Sequence, residues 1–182
     1  TATMSCPLGR LTLASNGSEL TGLWIENQKY FARTLPKTYK LNPSLPIFQE
    51  TARWLELYFS GKRPAMQLPL APQGSKFQQS VWKELLSIPY GETATYGQIA
   101  AKLGGTNYSR AVGNAIGHNP ILILVPCHRV IGSNNLLTGY AGGLDKKKML
   151  LSLEGILPPG FSSPFTDGKQ TVCIHGGISS TF

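Results

Sequence analysis

The sequence predicts an α/β chain in two domains: a small antiparallel sheet with one helix, then a mostly helical domain containing a helix-turn-helix. Three observations carry this. Apolar residues cluster on both sides of a turn signal near the start, they recur at helical spacing from residue 45, and a proline-rich break divides the chain. A length of 182 residues supports a real core, and 41% hydrophobic against 14% charged residues excludes an acidic disordered chain or a charge-rich coiled coil.

Leu11 and Leu13, then Leu20, Leu23, Trp24 and Ile25, flank Asn16-Gly17-Ser18, which reads as two strands joined by a turn. Over residues 45–60, Phe48, Ala52, Leu55 and Phe59 recur every three or four positions, and Gly61 is a natural stop. Pro64 to Ser75 holds three prolines and a glycine without periodicity. The expected division is therefore 1–68 for the first domain, 69–75 for a linker and 76–156 for the second domain, with 157–182 a flexible tail.

Ser75 and Gln78 form a capping-box pattern before the stripe Phe77, Val81, Leu85 and Ile88, which ends at Pro89-Tyr90-Gly91. Thr95 and Gln98 repeat the pattern and open a short helix over Tyr96 to Leu103, broken by Gly104-Gly105. Asn107 is positioned to cap a second helix, Tyr108 to His118, stopped by Asn119-Pro120. Two short helices around a glycine turn suit a helix-turn-helix, although plain helix packing fits the spacing equally well. The second helix carries Ala111, Gly113, Ala115 and Gly117. Glycine inside a helix costs about 1 kcal/mol relative to alanine, so another surface is expected to approach this backbone closely.

Ile121 to Val125 reads as a buried strand or extended segment delivering the chain to Pro126-Cys127-His128-Arg129-Val130. A turn follows at Gly132 to Asn135, and Thr138 to Gly143 is too glycine-rich for a strand and reads as a functional loop. Asp145 is placed to cap a last helix over Lys146 to Glu154, closed by Gly155, with Lys146-Lys147-Lys148 as a solvated face.

The net charge of +8 favours a polyanionic partner, nucleic acid or an anionic membrane surface. Residues 1–75 carry eight basic and four acidic side chains and residues 76–156 the same, so charge alone locates no binding face. The longest apolar stretch, Pro120 to Pro126, is far short of the roughly 20 residues that span a bilayer, so no membrane partner is expected. The first residues do not read as a secretory signal. Cys6, Cys127 and Cys173 are odd in number and far apart, which argues against a disulfide framework and for a reducing, cytoplasmic compartment. With His118, His128 and His175 they supply no ligand cluster, and neither metal nor cofactor is expected. Cys6 reads as an incidental or buried thiol.

Cys127 sits between an apolar run and a histidine. A thiol with a free pKa of about 8.5 becomes a competent nucleophile when a base or a positive field favours the thiolate, with His128 a candidate base and Arg129 a candidate field. Neighbours on a strand face opposite ways, so the pair needs a turn or helix start here. On these residues alone, a core cysteine beside a surface histidine is the simpler reading.

Pro126-Cys127-His128-Arg129-Val130, set between Asn119-Pro120 and Gly139-Tyr140-Ala141-Gly142-Gly143 and followed by Glu154-Gly155, strongly resembles the O6-alkylguanine-DNA alkyltransferases. Tyr96-Gly97-Gln98-Ile99-Ala100 and Arg110-Ala111-Val112-Gly113 extend the resemblance, which runs nearly continuously from Phe77 to Gly155; the first half matches only in general character. The resemblance implies a ribonuclease H-like first domain and a monomer, cytoplasmic or nuclear, acting on double-stranded DNA that carries O6-alkylguanine, with O4-alkylthymine open as a second substrate. It implies that Cys127 takes the alkyl group irreversibly, that His128 deprotonates it through a water and that Glu154 orients His128. Tyr96 would protonate the leaving base, and Asn119 would tie the helix to the active-site segment. Val130, Tyr140 and Ala141 would hold the base, Arg110 would fill the vacated stack, and Ala111, Gly113 and Ala115 would let the helix enter the minor groove. Non-enzymatic lesion binders lack the cysteine, and adaptive-response regulators carry a further cysteine-rich domain. A cysteine hydrolase would need a turnover route that nothing outside the motif suggests.

Overall fold

In the computed structural model, residues 1–156 and 173–175 are described. Strands β1 (Ala2–Cys6), β2 (Gly9–Ser15) and β3 (Leu20–Ile25) pair antiparallel in sequence order. Alternate residues point the same way on a pleated sheet, and the register sets Ala2 against Leu13 and Leu13 against Leu23, with Leu11 between Met4 and Ile25. All six are buried in one core with Phe48, Ala52, Leu55 and Phe59 of α1 (Pro46–Phe59). Of the segment read as a tail, Cys173–His175 forms strand β6, which pairs antiparallel with β1 and gives the order β3-β2-β1-β6; the rest of 157–182 lies outside the described residues.

Both capping boxes form. Ser75 and Gln78 open α2 (Lys76–Leu86), and Thr95 and Gln98, just after strand β4 (Ala94–Thr95), open α3 (Tyr96–Lys102). Helix α4 (Ser109–Gly117) begins without the expected Asn107 cap. A 3-10 turn over Thr106–Tyr108, closed by Tyr108 N–H to the Gly105 carbonyl, runs straight into the helix and leaves no extended residue to act as cap. Helix α5 (Leu144–Leu153) starts at Gly143, whose φ of +95° suits glycine, so Asp145 lies in the first turn instead of capping it.

The apolar run Ile121 to Val125 is not a strand. Its first residues bond the edge of β3, with Leu23 N–H donating to Pro120 O and Leu122 N–H to Leu23 O, and then the chain turns. Ile123 takes a φ of +70°, a costly conformation for a β-branched residue. Beyond the turn, strand β5 (Val130–Ile131) runs parallel to β4. The expected linker also touches the sheet: Leu20 N–H donates to Pro69 O and Ala71 N–H to Leu20 O. Among the described residues no helix is long and apolar enough to cross a membrane.

Candidate active site

The strained turn is held by one side chain. Buried Asn119 donates its amide to the carbonyls of Ile121 (3.3 Å) and Val125 (2.9 Å) and to Cys127 Sγ (3.2 Å), while its Oδ1 accepts from Ile121 N–H. These bonds fix where the turn ends and therefore where the sulfur sits. Cys127, His128 and Arg129 then form a single 3-10 turn, the local geometry that adjacent thiol and imidazole require. Burial raises the Cys127 thiol to about 11, against the opposing effects of the Asn119 bond and the nearby Lys147 charge. The resting sulfur is a thiol, and its activation needs a base.

His128 is fully buried with its Nε2 2.7 Å from Glu154 Oε1. Burial lowers its pKa despite the carboxylate, so the ring is neutral near pH 7. An ionised carboxylate only accepts, which assigns the proton to Nε2 and leaves the lone pair on Nδ1, a buried atom with no partner among the described residues. Arg129, the candidate field for the sulfur, is committed to Glu154 and a backbone carbonyl. Its Nε and Nη2 grip Glu154 at 2.8 and 3.0 Å, and its Nη1 donates to Ile88 O at 2.7 Å. Burial pushes the Glu154 carboxyl upward, yet the bonds and charges of His128 and then Arg129 outweigh it and bring the pKa to about 2.

The cation near the sulfur is Lys147, fully buried rather than on a solvated face. Its Nζ donates to the carbonyls of Val130, Thr138 (2.6 Å) and Gly139 (3.3 Å), clasping the glycine loop to the end of the cysteine turn. Burial lowers its pKa to about 8. The loop it holds forms one wall of a cleft of about 270 Å³, lined among others by Cys127, Tyr96, Gly113, Gly117, Tyr140 and Ala141. The Tyr96 hydroxyl donates to Thr138 O at 3.3 Å, and burial raises its pKa, which keeps it a proton donor. Gly142 is needed because an added Cβ would lie 2.7 Å from the Tyr140 ring.

Cys127, Tyr96, Gly113, Tyr140 and Ala141 thus share a cleft, with Asn119, His128, Glu154 and Val130 buried behind it. Arg110 and Ala111 are exposed on α4. Ala115 is not on that exposed face: with Val112 and Ile116 it lies on the helix's buried side, and its carbonyl accepts from the Trp82 indole. Nor do the described residues crowd the helical glycines, since among them a Cβ on Gly113 would meet only the Tyr96 ring at 3.6 Å and one on Gly117 nothing within 4 Å.

Three groups escaped the sequence reading. Lys147 had a legible signal, because it lies three and four residues before Leu150 and Leu151 and shares their buried face. Lys29 and Tyr30 line the cleft from the sheet half, with Lys29 N–H bonded to Ala141 O and the Tyr30 ring stacked on His118 at 4.0 Å. Tyr58, from α1, donates its hydroxyl to Glu154 Oε1 at 2.6 Å. Helical spacing places Tyr58 on the buried face with Leu55, but no local pattern gives its partner or the place of Lys29 and Tyr30.

Family models for the ribonuclease-like domain and the DNA-binding domain of 6-O-methylguanine DNA methyltransferase match residues 1–72 and 76–156. The methylated-DNA–protein-cysteine methyltransferase of Mycobacterium tuberculosis H37Rv is 47% identical over 152 residues, 84% of this chain and 90% of that protein. The protein of that name from Methanosarcina acetivorans is 49% identical over 137 residues, covering 75% and 77%. The crystal structure of Mycobacterium tuberculosis OGT in complex with DNA matches at a TM-score of 0.78 and 46% identity, over 85% of this chain and 92% of that one. With both halves matched in order, and relatives at this identity over most of their length, the chain belongs to the 6-O-methylguanine DNA methyltransferase family of methylated-DNA–protein-cysteine methyltransferases.

Proposed function

We propose that this chain repairs alkylated DNA by moving the alkyl group from O6 of guanine onto Cys127, once per molecule. The carrying observation is the buried Nδ1 of a neutral His128, which has no partner among the described residues, on a ring that Glu154 holds next in the chain to a thiol lining a cleft. The thiol proton passes through one water to Nδ1. The sulfur attacks the alkyl carbon, the S–C bond forms, and the carbon–O6 bond breaks with its electrons passing into the guanine ring. Tyr96 leaves its Thr138 carbonyl and protonates the departing base at N3. The thioether has no route of release, so the protein is consumed.

The base reaches the cleft by leaving the duplex, which costs a few kcal/mol of unstacking. Arg110, exposed on α4, fills the gap it leaves, while the helix lies in the minor groove with Ala111 and Gly113 offering little bulk. The Ala141 amide faces O6, and the carbonyls of Cys127 and Val130 read the exocyclic amine; each has one lone pair left beside its existing bond from Val130 N–H or Lys147. The halves act as one monomer, with residues 69–75 as the connection between domains.

Intact-mass measurement after incubation with duplex DNA containing O6-methylguanine tests this. One added methyl group, mapped to Cys127, is expected, and Cys127→Ala should gain none while still binding the duplex. Repeated turnover without mass gain, or a gain mapped elsewhere, overturns the reading. An O4-methylthymine duplex in the same assay decides whether thymine lesions are substrates.

A further inference from the structure

Glu154 is the most heavily bonded side chain of the site, and one of its donors comes from the other half of the molecule. Oε1 accepts from Tyr58 Oη (2.6 Å), His128 Nε2 (2.7 Å) and Arg129 Nη2 (3.0 Å), and Oε2 from Arg129 Nε (2.8 Å) and Gly91 N–H (3.3 Å). Tyr58 sits 96 residues before Glu154 in the chain and is fully buried. Its ring stacks on Trp54 at 5.2 Å and meets Phe59 and Tyr90 edge-on, so rotation of the phenol is blocked on several sides. A phenol needed only for packing would be served as well by phenylalanine, since burying an unpartnered hydroxyl is costly. Here the hydroxyl spends its proton on the oxygen that also holds His128, and lies 3.4 Å from His128 Nε2.

We infer that Tyr58 is a positioning residue for the thiol-activating histidine, through which the sheet half sets the basicity of His128. The inference rests on the proposed role of His128 as the base. A carboxylate shared among more donors attracts each of them less strongly. With the Tyr58 bond in place, Glu154 orients the Nε2–H of His128 without drawing the ring into its charged form, which has no free lone pair on Nδ1. The groups facing this pair are Arg129 and Lys147, which disfavour an imidazolium, the thiol of Cys127, and the phenols of Tyr58, Tyr90 and Tyr140, all held neutral by burial. Glu154 is the group among them that favours the imidazolium, and Tyr58 is the uncharged donor that tempers it.

Tyr58→Phe in the full chain keeps the ring and removes the bond. The rate of mass gain at Cys127 on methylated duplex should fall about tenfold on its plateau. The acid limb of its pH profile should move up by roughly half a unit or more. Nitrogen-15 spectra should show His128 taking its second proton at higher pH than in the wild type. Replacement of Tyr58 by 3-fluorotyrosine, a stronger donor of nearly the same shape, should move both readings the other way. Profiles that superpose on the wild type overturn the inference, and so does a lowered melting temperature with the limb and the His128 titration unmoved. A wild-type protein that gains no mass at Cys127 refutes the transfer reading instead, and the nitrogen-15 titrations still decide the role of Tyr58.

Discussion

Lys147 shows how a single side chain sets the site. Three consecutive residues of an α-helix sweep about 200° of its circumference, so a run of three lysines cannot lie wholly in solvent on a helix with an apolar face. Lys147 is the one turned inward, and burial makes its charge expensive to keep. What offsets that cost is the set of three carbonyls, from Val130, Thr138 and Gly139, to which its ammonium donates. Lys147→Met should leave the buried Val130 carbonyl unpaired, at about 1–3 kcal/mol of stability. It should also slow mass gain on duplex and on free O6-methylguanine alike, since the loop that walls the cleft loses its clasp. Unchanged rates on both substrates would show that the loop holds its place without the lysine. Asn119 plays the companion role on the other side of the sulfur, and its residue type and place beside Pro120 were readable from the sequence. Its three simultaneous acceptors were not, because they depend on a turn at Ile123 that apolar periodicity does not encode.

At the scale of elements, α4 divides its surface in two. Val112, Ala115 and Ile116 recur at positions i, i+3 and i+4 and face the core, whereas Arg110 and Ala111 face outward beside the cleft. The small residues of this helix therefore do different jobs, and composition alone could not sort them: Ala115 packs and Gly113 lines the cleft. If Arg110 acts on the duplex, Arg110→Ala should slow repair of duplex DNA by tenfold or more and leave reaction with the free alkylated base nearly unchanged. Its binding should also fall off less steeply with salt than that of the wild type. Equal losses on base and duplex would remove Arg110 from the flipping step. The helix starts show the opposite balance, since both capping boxes were legible from four-residue patterns and both formed.

Across the whole molecule, the two halves are joined where the chemistry lies. The edge of β3 bonds the segment that leads to Cys127, Lys29 bonds the loop at Ala141, and Tyr58 reaches Glu154. The stability of this junction should depend on pH through Glu154. Its folded pKa of about 2 lies below the ordinary value of 4.5 for a glutamate, so the folded state binds fewer protons between these values. Its contribution is therefore complete above the unfolded value and lost as pH falls through the folded one. Urea midpoints should decline as pH drops from about 5 towards 2, more steeply than in Glu154→Gln, which lacks the titrating group. Identical slopes in the two proteins would mean that the junction does not depend on this charge.

The sequence by itself determined strands β2 and β3, helix α1 and the two capped helices, and it singled out Cys127 as the candidate nucleophile. Each of these is encoded by residues within a few positions of one another, where side-chain period, caps and glycine turns act locally. Tertiary structure alone decided which donors surround Glu154, which cation lies near the sulfur and which surfaces of α4 line the cleft. Those outcomes depend on hydrogen bonds between residues as far apart as Tyr58 and Glu154, and on burial that shifts a lysine and a thiol from their ordinary ionisation. Such energies exist only once distant segments share one desolvated interior.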